Sequence, residues 1–339
     1  MQQKYMQKCI ELAKLGNTSP NPMVGCVITD EFDNVIATGY HKKCGENHAE
    51  RDALLKINKG DGYTLYVNLE PCSHYGKTPP CTDLIIEKGI KHVVIGMLDP
   101  NPKVSGIQQL KDAGIKVEVG ILEDECKKLN EVFIKNIQEQ KTFIAIKTAT
   151  TLDGKIATGN GSSKWITGED SRNEVKKIRA KYDAIMTSSS TIIADNPTME
   201  HKIKIILDRE LKTSINSKIY EQGEIYIFNS LIEKKENNKT YIKTPSIDGK
   251  ISLEFVFNTL YKLGIMSVLI ESGGKLNGKS LKYADKIYHF IAPKILGDNS
   301  GKSCYDYTTI KDISMCTNYN IKDIKKFGND ILMTYYPIR

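Results

Sequence analysis

"NHAERDALLKINKGDGYTLYVNLEPCSHYGKTPPC", residues 47–81, holds one full cycle of the alternation that decides the fold. Its apolar spacing predicts a helix from about His48 to Lys59, then the strand "TLYVNLE" (Thr64–Glu70), rich in β-branched and aromatic residues, then a proline-rich loop. Upstream, "VGCVITD" and "VIATGYH" read as a hairpin around the turn "EFDN". Before them, "MQQKYMQKCIELAKLGN" places Tyr5, Cys9, Leu12 and Ala13 on one face of an amphipathic helix. Downstream come the helix "TDLIIEKG", the strand "HVVIGMLD" and the helix "IQQLKDAG". Alternation of this kind predicts a largely buried sheet covered by helices, an α/β architecture.

The polar stretch "IQEQKT" (Ile137–Thr142) separates this pattern from a new strand, "FIAIK", and sets expected domains of 1–141 and 142–339. The second half repeats the alternation, with strands near "AIMTS", "IKIILD", "IYIF", "SVLIES", "IYHFIA" and "ILMTYY" and a helix at "SRNEVKKIRAKYD". The stretch "IEKKENNKTYIKTPSIDGK" reads as a solvated connection.

Composition agrees with two domains and excludes several classes. A chain of 339 residues exceeds what one hydrophobic core usually organises. Apolar residues at 40% and charged residues at 26% mark an ordinary globular protein. The formal charge of +7 comes from lysines spread along the chain, which suits anionic small molecules and gives no nucleic-acid-binding stripe. No secretory signal is evident, and apolar runs stop far short of the roughly 20 residues that cross a bilayer, so a cytoplasmic protein without membrane contact is expected. In that compartment the eight cysteines stay reduced, which favours metal or catalytic use over disulfides.

Three of those thiols and imidazoles form a pattern. His48, Cys72 and Cys81 are ligand types for zinc, and three protein ligands leave a fourth tetrahedral position for water. On the metal, water ionises near neutral pH and becomes a nucleophile. Glu50, two residues after the histidine on a helix start, is placed to relay a proton without ligating. His48-Ala49-Glu50 and Pro71-Cys72 match the H-x-E and P-C elements of zinc deaminases. The second cysteine departs from the short P-C-x-x-C spacing, since eight residues separate Cys72 from Cys81. A closed structural zinc site usually shows four ligands in paired C-x-x-C form, which is absent. Cys26, Cys44, His92 and His201 are read as packing residues.

The long insertion in "EPCSHYGKTPPC", together with "PNPMVG" (Pro20–Gly25), "GYH" (Gly39–His41) and "DPNP" (Asp99–Pro102), resembles the deaminase half of the bifunctional riboflavin-pathway deaminase/reductase family. The resemblance covers the whole first domain and implies a cytidine-deaminase-like α/β/α sandwich binding one zinc per chain. It implies a substrate pocket lined by Asn21, His41, His74, Lys77, Asp99 and Asn101, the histidines and Lys77 suiting a ribose phosphate and the amides a pyrimidine edge. The stretch "KVSGIQQL" is about two residues shorter than in the family and predicts a trimmed loop.

"KTATTLDGKIATGNGSSKWIT", "SSSTIIADNPT" and "LIESGGKLNGK" resemble the dihydrofolate-reductase-like half of the same family. That implies NADPH contacts at Ala149, Trp165, Thr191, Asp195 and the turn of Gly273, Gly274, Lys275, Leu276, Asn277, Gly278 and Lys279, with substrate held by Ser163, Arg179, Met199 and Glu271. No G-x-G-x-x-G is present, so the cofactor would bind in the reductase-like manner. After "DNPT" the family's Leu-Thr-x-Arg segment gives way to "MEHKIKIILD", leaving Lys202 or Lys204 nearest to replace a missing phosphate-binding arginine. A lysine would not reproduce bidentate guanidinium contacts.

The expected function is therefore deamination of 2,5-diamino-6-(5-phosphoribosylamino)pyrimidin-4-one followed by NADPH reduction of the ribosyl to a ribityl chain, in a homo-oligomer by resemblance alone. Two other readings stand beside it. A nucleic-acid or free-base zinc deaminase with a non-reductase C-terminal binding module predicts salt-sensitive RNA binding and no affinity for NADPH. A non-catalytic zinc scaffold predicts unfolding on chelation and no turnover.

Overall fold

Strands buried on both faces shape each half of the molecule. The computed structural model describes residues 2–75, 79–307 and 309–338 and divides into two units, Met1–Gln140 and Lys141–Arg339.

The first unit contains α1 (Gln2–Ala13), β1 (Gly25–Thr29), β2 (Val35–Tyr40), α2 (Ala49–Leu54), β3 (Thr64–Leu69), α3 (Cys81–Glu87), β4 (His92–Met97), α4 (Gly106–Asp112), β5 (Lys116–Val119), α5 (Glu123–Leu129) and α6 (Glu131–Glu139). Its sheet has the order β2-β1-β3-β4-β5, with β3, β4 and β5 parallel and β1 antiparallel to both neighbours. Every residue of β1 is buried, as is all of β3 and β4 beyond the first residue. Near-continuous burial means that both faces are covered, giving the expected α/β/α sandwich. The face of α1 adds Met6 and Ile10 to the predicted stripe, with Leu12 only partly buried at its margin. The helix expected to run to Lys59 stops at Leu54: Leu55 is exposed, and Asn58, Gly60 and Gly62 favour turns.

The second unit contains β6 (Phe143–Thr150), β7 (Lys155–Ala157), α7 (Glu169–Arg179), β8 (Ala184–Ser188), α8 (Ser189–Asp195), β9 (Ile203–Leu207), β10 (Glu224–Asn229), β11 (Lys234–Glu236), β12 (Lys239–Lys243), β13 (Ser246–Ile247), β14 (Lys250–Ile251), α9 (Leu253–Lys262), β15 (Ser267–Ile270), α10 (Gly274–Ser280), β16 (Lys286–Ile291), β17 (Lys302–Ser303), β18 (Tyr319–Phe327) and β19 (Asp330–Pro337). A ten-stranded sheet has the order β11-β12-β10-β9-β8-β15-β6-β16-β19-β18. From β12 to β16 neighbours run parallel. Alternate residues serve opposite faces. Ala184, Met186, Ile205 and Phe228 join the cluster under α9, while Ile185, Ile206, Ile225 and Ile227 join one with Ile192 of α8.

One stretch differs from expectation, and one resemblance motif takes a definite form. The supposed solvated connection contains β11 and β12, joined through Asn237 in the left-handed region, and β12 extends the sheet alongside β10. Its lysines are the charges that protect an edge strand, so polarity there marked an edge and not a loop. The stretch "SSSTIIADNPT" forms α8, closed by Asn196 in a left-handed cap.

Candidate active sites

In the first unit three elements converge at one point. His48 caps α2, Cys81 is the first residue of α3, and Cys72 lies in the loop after β3. The His48 Nδ1 atom is 3.5 Å from the Sγ atoms of both Cys72 and Cys81. A tetrahedral zinc with Zn–N near 2.0–2.1 Å and Zn–S near 2.3 Å requires N···S edges of about 3.6 Å. The donor set therefore fits zinc in type and spacing. Among the described residues, these three are the group placed to share one ion. The Cys72 thiol is pulled down to about 4, chiefly by hydrogen bonding with Cys81 and also with His48, and Cys81 is pushed up as its partner. Lowering the Cys72 thiol favours the thiolate form that a metal ion binds.

Glu50 sits in the first turn of α2, wholly buried. Burial pushes its carboxyl up to about 7, with the Cys72 charge adding to the effect. It faces a cavity of about 450 Å³ shared with Asn21, His41, His48, Cys72, His74, Asp99 and Asn101. Burial, reinforced by nearby Glu70, raises the Asp99 carboxyl to about 6, while its Oδ1 accepts from the Asn101 backbone N–H at 2.8 Å. His74 is exposed at the rim. Lys77 lies outside the described residues.

Two expectations change here. His41 is buried, and both its ring nitrogens are engaged by Asn21 and Asn47, so it has no N–H left for a phosphate. Cys44 is not a packing residue: it is half-buried, lines the cavity and lies 3.6 Å from Asn21 Oδ1. Cys26 does pack in the core, and the His201 ring is taken up by the Tyr182 and Ile203 carbonyls. The "PNPMVG" segment is held from outside the cavity. Asn68 accepts from Gly25 N–H and donates to Met23 O, while Asn130 bonds both polar atoms of the Met23 backbone.

In the second unit the carboxyl ends of β8 and β15 bring Ser188, Thr191 and Ser272 within 3.3 Å of one another. Gly273 follows as the cap of α10, and a methyl group there would meet nothing within 4 Å. Glu271 is buried and bound to Arg179 at 2.5 and 3.1 Å and to Lys147 at 3.2 Å. Ala149 and Ser163 are half-buried, and Trp165 is 64% exposed beneath the Arg172 guanidinium. Asp195 is exposed at the end of α8.

The turn expected to grip the cofactor is accessible only in part. Gly274, Leu276, Asn277 and Gly278 are buried, leaving Gly273, Lys275 and Lys279 accessible. A methyl group on Gly274 would lie 2.2 Å from the Ser303 carbonyl oxygen, and one on Gly278 would lie 2.8 Å from Tyr307 Cβ. These two glycines let α10 pack against the following chain, a constraint that the family resemblance did not reveal. Gly274→Ala is expected to destabilise the unit by about 1–3 kcal/mol through overpacking, and Gly273→Ala by less than about 0.5 kcal/mol. Calorimetric melting of both variants checks the difference.

Three substrate assignments also change. Met199 buries its side chain with Ile185, Ile192 and Ile206, leaving only backbone to offer. Lys204 is buried and donates to the Thr198 and Ile219 carbonyls, so it braces the fold. Lys202 is exposed just before β9, at the amino end of the parallel strands, whereas Ser188, Glu271 and Ser272 emerge at the carboxyl end. Neither lysine replaces the missing arginine.

Comparison with known proteins shows the same division. Residues 1–97 match the cytidine and deoxycytidylate deaminase zinc-binding region, and residues 142–333 match the RibD C-terminal domain. The riboflavin biosynthesis protein RibD of Actinobacillus pleuropneumoniae is 38% identical, over 98% of this chain and 95% of its own. That of Aquifex aeolicus is 39% identical, over 98% and 97%.

The chain belongs to the RibD family.

A solved Thermotoga maritima diaminohydroxyphosphoribosylaminopyrimidine deaminase/5-amino-6-(5-phosphoribosylamino)uracil reductase superposes with a TM-score of 0.90 at 36% identity, covering 99% of each chain. Acinetobacter baumannii RibD gives 0.88 at 34% identity, covering 100% of this chain and 99% of its own. As a member of this family, the chain is a deaminase and reductase of riboflavin biosynthesis with two α/β domains. Among the described residues, no helix is long and apolar enough to cross a membrane. Two polar residues escaped the sequence reading. Glu70 anchors the Asp99 and Ile107 backbone N–H groups beside the cavity, and Lys147 reaches Glu271. Glu70 stands in the "LEPC" motif, which was its one available signal; Lys147 had none, because its partner is 124 residues away.

Proposed function

We propose that the first unit deaminates 2,5-diamino-6-(5-phosphoribosylamino)pyrimidin-4-one and that the second reduces the ribosyl chain of the resulting uracil. The observation that carries this reading is the His48, Cys72 and Cys81 donor set at tetrahedral spacing, with buried Glu50 beside it on one cavity. His48, Cys72 and Cys81 would hold zinc, which would supply a Lewis acid that makes water nucleophilic near neutral pH. Glu50 accepts the proton lost by the attacking water and gives it to the departing ammonia. Asn21, Asp99 and Asn101 line the cavity where the pyrimidine edge would lie, and exposed His74 meets the phosphate end.

NADPH supplies the hydride when bound. An open Gly273 beside the hydroxyls of Ser188, Thr191 and Ser272 suits its phosphates, which need close backbone approach and hydroxyl donors. Arg179, Lys147 and Glu271 would orient the ring-opened sugar, with Ala149, Ser163 and Trp165 bordering the site. The deaminase and reductase portions are assigned to 1–141 and 142–339, in a cytoplasmic homo-oligomer acting on small molecules.

The test supplies zinc-loaded protein with the diaminopyrimidinone ribosyl phosphate and NADPH, following ammonia and nicotinamide absorbance together. Both signals are expected, ammonia first. Ammonia alone would overturn the reductase half of the reading; neither signal would overturn the deaminase half, and the uracil ribosyl phosphate supplied directly with NADPH then tests the reductase half by itself.

A further inference from the structure

Asn21 reaches the cavity with its amide already oriented. His41 Nδ1 lies 2.9 Å from the Asn47 carbonyl oxygen, which can only accept, so Nδ1 carries the proton. Nε2 is then a lone pair and accepts from the Asn21 amide nitrogen at 3.1 Å. Asn21 Oδ1 therefore points away from the imidazole and meets the Cys44 thiol at 3.6 Å. Both Asn21 and Cys44 line the cavity that also contains Glu50. The backbone beneath is fixed, since Asn21 N–H donates to Thr18 O at 2.8 Å and Thr18 Oγ1 donates to Asn21 O at 2.9 Å.

A carboxamide has two flips of similar shape and opposite hydrogen-bonding sense. With the ring of His41 locked by Asn47, only one flip satisfies Nε2. Building on the deaminase reading above, we infer that His41 is a positioning residue that holds Asn21 Oδ1 as an acceptor for an N–H edge of the pyrimidine, and that Cys44 is the donor this edge displaces. A thiol is a weak donor, so replacing it by a ring or amino N–H is a net gain for the bound state. The reverse flip would set amide donors against substrate donors; the flip held by His41 therefore also discriminates against pyrimidines whose facing edge accepts.

Substitution separates this role from a merely structural one. His41→Phe keeps a ring and loses both hydrogen bonds. It is expected to raise KM for the diaminopyrimidinone ribosyl phosphate about tenfold, the equivalent of one good hydrogen bond, with zinc still at one per chain and kcat little changed. His41→Gln, whose amide can accept from Asn21 and donate to Asn47, is expected to recover most of that loss. Cys44→Ala should leave KM unchanged or lower it, and Cys44→Ser should raise it, because a hydroxyl competes better for Oδ1. These two variants read the same contact if His41→Phe fails to fold. A wild-type KM in His41→Phe, equal losses in the Phe and Gln variants, or identical KM values for the two Cys44 variants would overturn the inference. If the zinc-loaded wild type released no ammonia from this substrate, the deaminase reading itself would fall, and the inference with it.

Discussion

Glu50→Gln is expected to cut ammonia release by about 10²–10⁴-fold, the usual contribution of a positioned general acid–base group, while NADPH oxidation with the uracil ribosyl phosphate continues at the wild-type rate. The amide keeps the size of the carboxyl and cannot shuttle a proton. Glu50 is buried in the first turn of α2, two residues from His48, and the carboxyl nearest to it in sequence, Asp52, has its Oδ2 taken by Tyr40 N–H and Lys56. Burial and the Cys72 charge both favour its protonated form, and a cation bound nearby opposes them. That balance is what a group needs if it is to take up and release a proton near neutral pH. The variant keeps all three candidate ligands, so zinc content measured on the same sample should remain at one per chain. A loss of activity smaller than tenfold, with zinc retained, would remove Glu50 from the mechanism.

Glu271→Ala is expected to abolish reduction and to destabilise the second unit by about 3–5 kcal/mol, since it leaves the half-buried cations Lys147 and Arg179 without their partner. For a unit of this size that corresponds to a melting shift of about 6–20 °C. Burial alone would push the Glu271 carboxyl up, but the charges of Lys147 and Arg179 outweigh it and hold the group near about 2, against an ordinary 4.5. A carboxyl depressed in the folded state stabilises that state above its unfolded value and loses the contribution as pH falls towards its folded one. The wild-type unit should therefore lose stability between about pH 4.5 and 2, and the variant should lack this part of the dependence. Calorimetry across that range, with ammonia release as a control for the first unit, checks both parts. A melting shift below about 2 °C would show that the triad contributes little.

Legibility followed the range of each interaction. His48, Glu50, Cys72 and Cys81 stand within 34 residues of one another, and the H-x-E and P-C elements with their scarce chemical types singled them out even though Cys81 departs from the short spacing. The buried strands were equally plain, because continuous apolar runs such as "HVVIGM" and "AIMTS" have few alternatives. Short or half-exposed elements were not: β5, α8 and the β11–β12 edge hairpin carry too few apolar residues to display a period.

The sequence by itself determined two α/β domains, the metal-type donor set and the carboxyl of Glu50 beside it, because these depend on local patterns and on rare side chains in fixed order. Only the tertiary structure decided what faces what. It turned Met199, Lys204 and most of the Gly274–Gly278 turn towards protein, placed Lys202 at the wrong end of the sheet, joined Lys147 and Arg179 to Glu271, and locked His41 between Asn21 and Asn47. The physical reason is that a side chain's direction depends on the register of its strand and on neighbours far away in the chain, and neither is written in its own few residues.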